Sequence, residues 1–235
     1  MTHLDHPIAL IPAYNEEATV GIIVGQIRQT WGCPVVVIDD CSTDATARIA
    51  RMAGAIVLPL ALQLGAWGAI QTGLRYALRQ GYRTAITLDA DGQHKPDRIG
   101  ELLEPLVANR ADVAIGAFPE RASRARRIAW LYFRWLTGLK LEDITSGFRA
   151  YNHAAMVVLA TQEASLLDYQ DVGVLLILRR KGLRITEVPV PMQPRAQGAS
   201  RVFRSWWAVG QYMLQTSVLC LARVGNSRPS PALDD

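Results

Sequence analysis

The sequence predicts an α/β fold, a mostly parallel sheet with helices on both faces. Short apolar, β-branched runs alternate with segments of helical periodicity through the first half of the chain, which is the pattern of parallel strands joined by crossover helices. Polar residues collect directly after those runs, where open α/β sheets bind their ligands. With 235 residues, 50% of them hydrophobic, the chain is long enough for one domain with a proper core.

The elements follow in order. Ile8–Pro12 (IALIP) reads as a strand, and Val20, Ile23, Val24 and Ile27 share one face of the helix after it. Asn15 is placed to cap that helix, and Glu16 and Glu17 suit its positive first turn. Pro34–Asp39 (PVVVID) is continuous and β-branched, as a strand buried on both faces should be. A helix capped by Ser42 and stopped by Gly54 comes next, then a strand over Ala55–Leu60 and a helix over Ala66–Gly81. Thr84–Ala90 is the fourth strand, Pro96 opens another helix from its first position, and Ala111–Ala117 is the fifth strand.

The second half is less regular. Pro119–Arg127 is a basic loop, and Ile128–Leu139 is helical and rich in aromatics. Glu142–Asn152 is a polar turn leading into a short strand, Asp168–Gly182 a helix and Arg184–Met192 a strand. After the loop Gln193–Arg201, a long amphipathic helix is expected over 202–223, with a flexible tail at 224–235. No internal repeat or second domain is visible.

Composition narrows the function only a little. A formal net charge of +4 suits an anionic ligand, a membrane or nucleic acid without choosing among them. Nucleic-acid binding needs basic residues clustered without intervening carboxylates, and only Arg121–Arg127 fits. The three cysteines have no metal-ligand spacing, and their odd number argues against a disulfide framework. A reducing cytosol is therefore the expected compartment. The N-terminus lacks the basic start and apolar run of a signal peptide. The uncharged stretch Trp206–Ala222 is slightly short of the ~20 residues a spanning helix needs and contains Gln211 and Gln215. It reads as an interfacial or core-packing helix.

The chemistry is concentrated after the strands. Asp89 and Asp91 flank one alanine behind an apolar run. Two hard oxygens beside a diphosphate make a Mg²⁺ or Mn²⁺ site, to which Gln93 can add a neutral oxygen. Asp39 and Asp40 follow the second strand. One can cap the next helix, and the other can accept from a ribose hydroxyl or a base N–H. A phosphate at the first helix would face Glu16 and Glu17, which argues against a phosphate cradle there. GxxxxGK[ST] is absent, and Gly65, Gly68 and Gly73 do not make GxGxxG, so P-loop and dinucleotide sites are excluded. An aspartyl-phosphate phosphatase needs Thr or Val where Gln93 stands, and a nucleotidylyltransferase needs a Gly-rich N-terminal loop with lysine.

The segments IPAYNEE, VVVIDDCSTDAT, LGAWGAIQTG, LDADGQHKPD, DITSGFRAYN and ITEVPVPM, followed by Arg195, Gly198 and Arg201, resemble in order the motifs of the inverting GT-A glycosyltransferases (glycosyltransferase family 2). Within that family the sequence is most similar to the branch of dolichyl-phosphate mannose synthase and the polyprenyl-phosphate sugar transferases. The resemblance runs from Ile8 to about Arg223. It implies a Rossmann-like GT-A fold in a single domain over 1–223, with a nucleotide-sugar-binding half at 8–116 and an acceptor half at 117–201. It also implies a nucleotide-diphosphate sugar donor and a divalent metal. Carried over by residue, Pro12, Tyr14, Glu16 and Asp40 contact the nucleotide. Asp89, Asp91 and Gln93 bind metal and the sugar phosphates. Arg149, Arg195 and Arg201 hold diphosphate or the acceptor phosphate. Gln63 stands among the donor-binding positions where many relatives have asparagine, and Trp67 lies inside the glycine motif. Gln170 and Asp171 replace a proline and glutamate common in relatives.

The resemblance further implies attack from the face opposite the leaving nucleotide, with Asp91 at the reacting centre. A hydroxyl acceptor needs a general base, for which Asp143 and Asp171 are the candidates. A lipid-phosphate acceptor is already anionic at neutral pH. Trp130, Trp135, Trp206 and Trp207 beside Arg121–Arg127, Arg201 and Arg204 favour the lipid, because tryptophan flanked by arginine marks an interfacial helix. The expected location is cytoplasmic, peripheral at the inner face of the cytoplasmic membrane. A membrane-protein partner or a homodimer contact would use the same helices. The alternatives are a hydroxyl acceptor, or a non-catalytic donor-binding partner of a membrane protein.

Overall fold

A computed structural model describes residues 7–118, 131–132, 134, 141–143, 146–166 and 172–192. The expected helix at 202–223 and tail, the basic loop, Asp171, Arg195, Arg201 and the tryptophans at 130, 135, 206 and 207 lie outside the described residues.

The chain alternates strand and helix as far as β5: β1 (Ile8–Ala13), α1 (Val20–Trp31), β2 (Val35–Asp39), α2 (Thr46–Met52), β3 (Ile56–Pro59), α3 (Gly65–Arg79), β4 (Thr84–Thr87), α4 (Ile99–Val107) and β5 (Val113–Ala117). After it come β6 (Arg149–Asn152), α5 (His153–Leu159), α6 (Val172–Arg180) and β7 (Ile185–Pro189). The seven strands form one sheet in the order β3-β2-β1-β4-β6-β5-β7. All run parallel except β6, which is antiparallel to both β4 and β5.

Side chains alternate between the two faces of the sheet, as the two-residue period of a strand requires. Ile8, Leu10, Val36 and Ile38 pack with α3, α5 and α6. Ala9, Ile11, Val35 and Val37 pack with α1, α2 and α4. The expected face of α1, Val20, Ile23, Val24 and Ile27, is the buried one. At Gly73, a Cβ would sit 2.9 Å from Ile38 Cδ1, so α3 approaches the sheet more closely than alanine allows.

Three local expectations are corrected. α1 begins at Val20 with Thr19 before it and has no acidic residue in its first turn. Asn15 does not cap it; its backbone is left-handed (φ 53°), and its side-chain oxygen accepts from Thr43 N (2.8 Å). Ser42 does not cap α2; its hydroxyl accepts from Asn15 N (3.0 Å). Each polar group is used between the β1–α1 and β2–α2 loops, which outcompetes a local cap because it satisfies backbone groups on two loops at once.

A polar knot at the start of β7 adds to its ladder with β5. Arg184 donates through Nε to Asp112 (3.1 Å) and through its terminal nitrogens to Asn109. The Arg184 guanidinium holds the Asp112 carboxyl below its ordinary value of 3.8, against the opposing effect of partial burial. A carboxyl lowered in the folded state contributes stability above its unfolded pKa and loses it as the pH falls. Asp112→Asn is therefore expected to flatten the decline in stability as the pH drops through 3.8 and below, as measured by urea unfolding across that range.

Candidate functional site

The chain leaves β1 for β2 and β3 on one side, then returns to place β4 on the other side of β1. The crevice at the carboxyl ends of β1 and β4 is thus a topological switch point, the preferred ligand site of open α/β sheets. Because β6 runs the other way, its first residue, Arg149, lies at this same edge. It pairs with Thr87 of β4 and Ile115 of β5.

On the β1–β2 side, the two loops are laced together. Glu16 N donates to Thr46 Oγ1 (2.8 Å), Ala45 N to Glu17 Oε2 (2.9 Å) and Asp40 N to Ala13 O (2.8 Å). Pro12, Tyr14 and Glu16 are half-buried along this rim. Cys41, like Asn15, has positive φ (65°), a conformation that costs a non-glycine residue energy and concentrates at functional sites. Asp40 is 3% exposed and accepts from Leu64 N (2.6 Å) and Gly65 N (2.9 Å). Of the two adjacent aspartates it is the one that caps a helix, but the helix is α3 and not the expected next one, α2, because the segment leading into α3 passes the end of β2, where Leu60 N donates to Asp39 O (2.9 Å). Asp39, 6% exposed, accepts from Ser42 N. Gln63 is exposed in the loop before α3. Trp67 is not in the crevice; it is buried in the core and donates from Nε1 to Ala164 O (2.7 Å).

Behind β4 the chain turns through Asp89, Ala90 and Asp91. Thr19 Oγ1 donates to Ala90 O (2.6 Å), tying the turn to the start of α1. Asp91 is 6% exposed and accepts from Gln93 N (3.0 Å), while the Asp89 side chain is 39% exposed. Gln93 is half-buried beside them. Among the described residues, no three His, Cys, Asp or Glu side chains are grouped to hold a metal on their own. Two carboxylates and an amide at a rim fit a Mg²⁺ or Mn²⁺ ion that takes its remaining ligands from substrate phosphates and water. Sequence reading assigns no role to His94 or Gly147, yet both touch Asp89. Asp89 N donates to His94 Nδ1 (3.0 Å), and a Cβ on Gly147 would lie 2.5 Å from Asp89 Oδ1. The histidine directly following Gln93 was the available signal.

Arg149 is fully buried and donates from Nε to Ser146 O (2.8 Å). Asp143 is also fully buried, and accepts weakly from Phe118 N (3.4 Å). Its loop is held by Glu187 of β7, whose carboxylate accepts from both Glu142 N and Asp143 N (2.7 Å). Burial pushes the Glu187 carboxyl above its ordinary value; these N–H groups pull it down, and the neighbouring Asp143 and Glu142 carboxylates add to the rise.

The sequence model of glycosyl transferase family 2 matches residues 8–158. The chain is 32% identical to an undecaprenyl-phosphate mannosyltransferase of Micrococcus luteus over 214 residues, covering 83% of this chain and 86% of that protein. It is 30% identical to a polyprenol monophosphomannose synthase of Mycolicibacterium smegmatis, covering 83% and 80%. Its fold is similar to that of glucosyl-3-phosphoglycerate synthase from Mycobacterium tuberculosis, solved with Mn²⁺, UDP-glucose and phosphoglyceric acid. The TM-score is 0.71 at 21% identity, covering 96% of this chain and 82% of that one. A crevice built on acidic strand ends, a GT-A fold and this extent of shared sequence lead to one conclusion: the chain belongs to glycosyl transferase family 2 and is a nucleotide-sugar glycosyltransferase.

Proposed function

We propose that the chain moves a sugar from a nucleotide-diphosphate donor to a lipid phosphate at the membrane surface, with inversion at the anomeric carbon and dependence on Mg²⁺ or Mn²⁺. The observation that carries this reading is the reversed direction of β6. It sets a buried arginine, Arg149, at the same edge as Asp89 and Asp91. An acidic pair and a fixed guanidinium on neighbouring strands suit a diphosphate bridged to a cation on one side and paired with arginine on the other. The relatives named for undecaprenyl- and polyprenol-phosphate chemistry support the acceptor class.

In this reading Pro12, Tyr14 and Glu16 frame the nucleotide, with Gln63 at the mouth, and Asp40 serves the nucleotide by fixing the start of α3 beside it. Asp89, Asp91 and Gln93 would hold the cation, which supplies charge stabilisation to the departing diphosphate. Arg149 accepts charge that develops on the same phosphates, and Arg195 and Arg201 meet the donor or acceptor phosphate. Asp143 favours a phosphate acceptor over a hydroxyl. Its carboxylate accepts from Phe118 N and its backbone N–H is held by Glu187, which engages Asp143 in its own loop rather than leaving it to take a proton from an incoming alcohol. A phosphate needs no such base. Among the described residues, no helix is long and apolar enough to cross a membrane. Attachment at the inner face of the cytoplasmic membrane would rest on the Trp- and Arg-flanked segments or on a membrane-protein partner.

The test uses the purified full chain with polyprenyl phosphate in detergent micelles and a panel of nucleotide sugars, with Mn²⁺ or with EDTA. A glycolipid of inverted configuration that forms only with the cation is expected. Transfer to a hydroxyl acceptor instead, or donor binding without turnover, would replace this reading with one of its alternatives.

A further inference from the structure

We propose that His94 and Gly147 are positioning residues that fix the carboxylate of Asp89 from two sides, joining the acidic turn to the Ser-Gly-Phe-Arg turn before β6. The inference rests on the metal-site reading above but concerns residues outside the ligand set.

His94 lies on the inner side. It is 3% exposed, and its ring stacks on Phe148 with centroids 5.1 Å apart and planes 17° from parallel. Phe148 is itself wedged. A Cβ on Gly116 would meet it at 3.0 Å, and its carbonyl accepts from Gly116 N (2.8 Å). The imidazole therefore has a fixed plane. Its Nδ1 accepts from Asp89 N (3.0 Å), so that nitrogen carries the lone pair and the proton is on Nε2. Nε2 stands 3.7 Å from Asp89 Oδ2. One ring thus fixes the backbone of Asp89 and borders its carboxylate.

Gly147 forms the other side. Its carbonyl accepts from Thr87 Oγ1 (2.7 Å), which pins it to the end of β4. A Cβ at this position would fall 2.5 Å from Oδ1, 2.9 Å from Oδ2 and 3.0 Å from Cγ of Asp89. Only glycine leaves the Asp89 carboxylate in this position. The atoms in the way belong to one short side chain, so alanine can be accommodated by rotating the Asp89 carboxylate away. The fold survives that adjustment, and the position of a metal ligand does not. Residues that orient ligands from outside the coordination sphere are worth about 10–100-fold in metal affinity.

The test compares His94→Leu, His94→Asn and Gly147→Ala in the full chain. Calorimetry measures binding of uridine and guanosine diphosphates with and without Mn²⁺, and hydrogen exchange follows the Asp89 amide in the metal-free protein. Asparagine places Oδ1 where histidine has Nδ1, so it restores the acceptor without the ring. His94→Leu and Gly147→Ala should weaken the Mn²⁺-linked part of binding by about 10–100-fold and leave the metal-independent part unchanged. His94→Asn should recover most of that loss. The Asp89 amide should exchange faster in His94→Leu and at the wild-type rate in His94→Asn. The cradle is overturned if Mn²⁺-linked binding survives both disruptive variants, if metal-independent binding falls in parallel, or if asparagine rescues nothing. If the wild type shows no Mn²⁺-linked binding, the metal-site reading fails. The exchange rates then decide the cradle alone, and an Asp89 amide no faster in His94→Leu rejects it.

Discussion

Asp91→Asn is expected to reduce sugar transfer by at least about 10²–10³-fold, the size of effect seen when one group stabilising a developing charge is removed. The melting temperature of the metal-free protein should barely move. The two halves of this expectation come from different atoms. Asp91 Oδ1 accepts from Gln93 N (3.0 Å), and asparagine keeps an oxygen at that position, so the turn through Gly92, with φ at 79°, stays formed. The change removes the charge and turns the other carboxylate oxygen from an acceptor into a donor. In the empty site two carboxylates one residue apart gain nothing from each other, and neutralising one costs the fold little. With donor present, the same neutralisation removes half of the anionic pair that would balance a cation. Steady-state transfer and a thermal melt in EDTA provide the check. Normal turnover by this variant would end the metal-site reading. Lost turnover with a collapsed melt would mean that Asp91 serves the fold.

Much of this site is legible in the sequence because strand-end residues are marked by what precedes them. VVVI before Asp39 and AITL before Asp89 are runs that only a buried strand accommodates, and a carboxylate directly after such a run must lie at the sheet edge. The direction of β6 is not legible in the same way. Arg149–Asn152 is four residues long, and nothing in RAYN distinguishes a parallel from an antiparallel neighbour. Helix α5 is also absent from the sequence reading, although Asn152 caps it by accepting from Ala155 N (2.9 Å). Its seven residues are too few for a periodic pattern to stand out. The caps assigned to Asn15 and Ser42 fail for a general reason. A short polar side chain beside a helix is a good local cap, but two adjacent loops offer it partners 27 or 28 residues away, and sequence proximity does not reveal those.

Trp67→Ala should have the largest effect on stability, about 3–5 kcal/mol, or a fall in melting temperature of roughly 6–20 °C for a chain of this size. The side chain is 2% exposed. It sits in the first turn of α3, where that helix packs on the segment after α5. Its indole donates to Ala164 O (2.7 Å). One turn later Gln71 donates to Leu159 O (2.9 Å) and Thr161 O (3.0 Å) and accepts from Ser165 Oγ (2.9 Å). Truncation would open a cavity at one end of this seam and leave the Ala164 carbonyl buried without its donor. Trp67→Phe separates the two costs. It fills most of the volume and loses only the hydrogen bond, for which about 1–3 kcal/mol is expected. In the proposed reading the glycine motif around Trp67 borders the donor, so a second outcome has meaning. Well below its melting temperature, Trp67→Phe should keep the wild-type kcat/KM and donor preference, because the indole faces the core and not the crevice. A variant that melts like wild type but changes its preferred nucleotide sugar would show instead that this ring reads the donor, and the assignment of α3 as scaffold would have to be withdrawn.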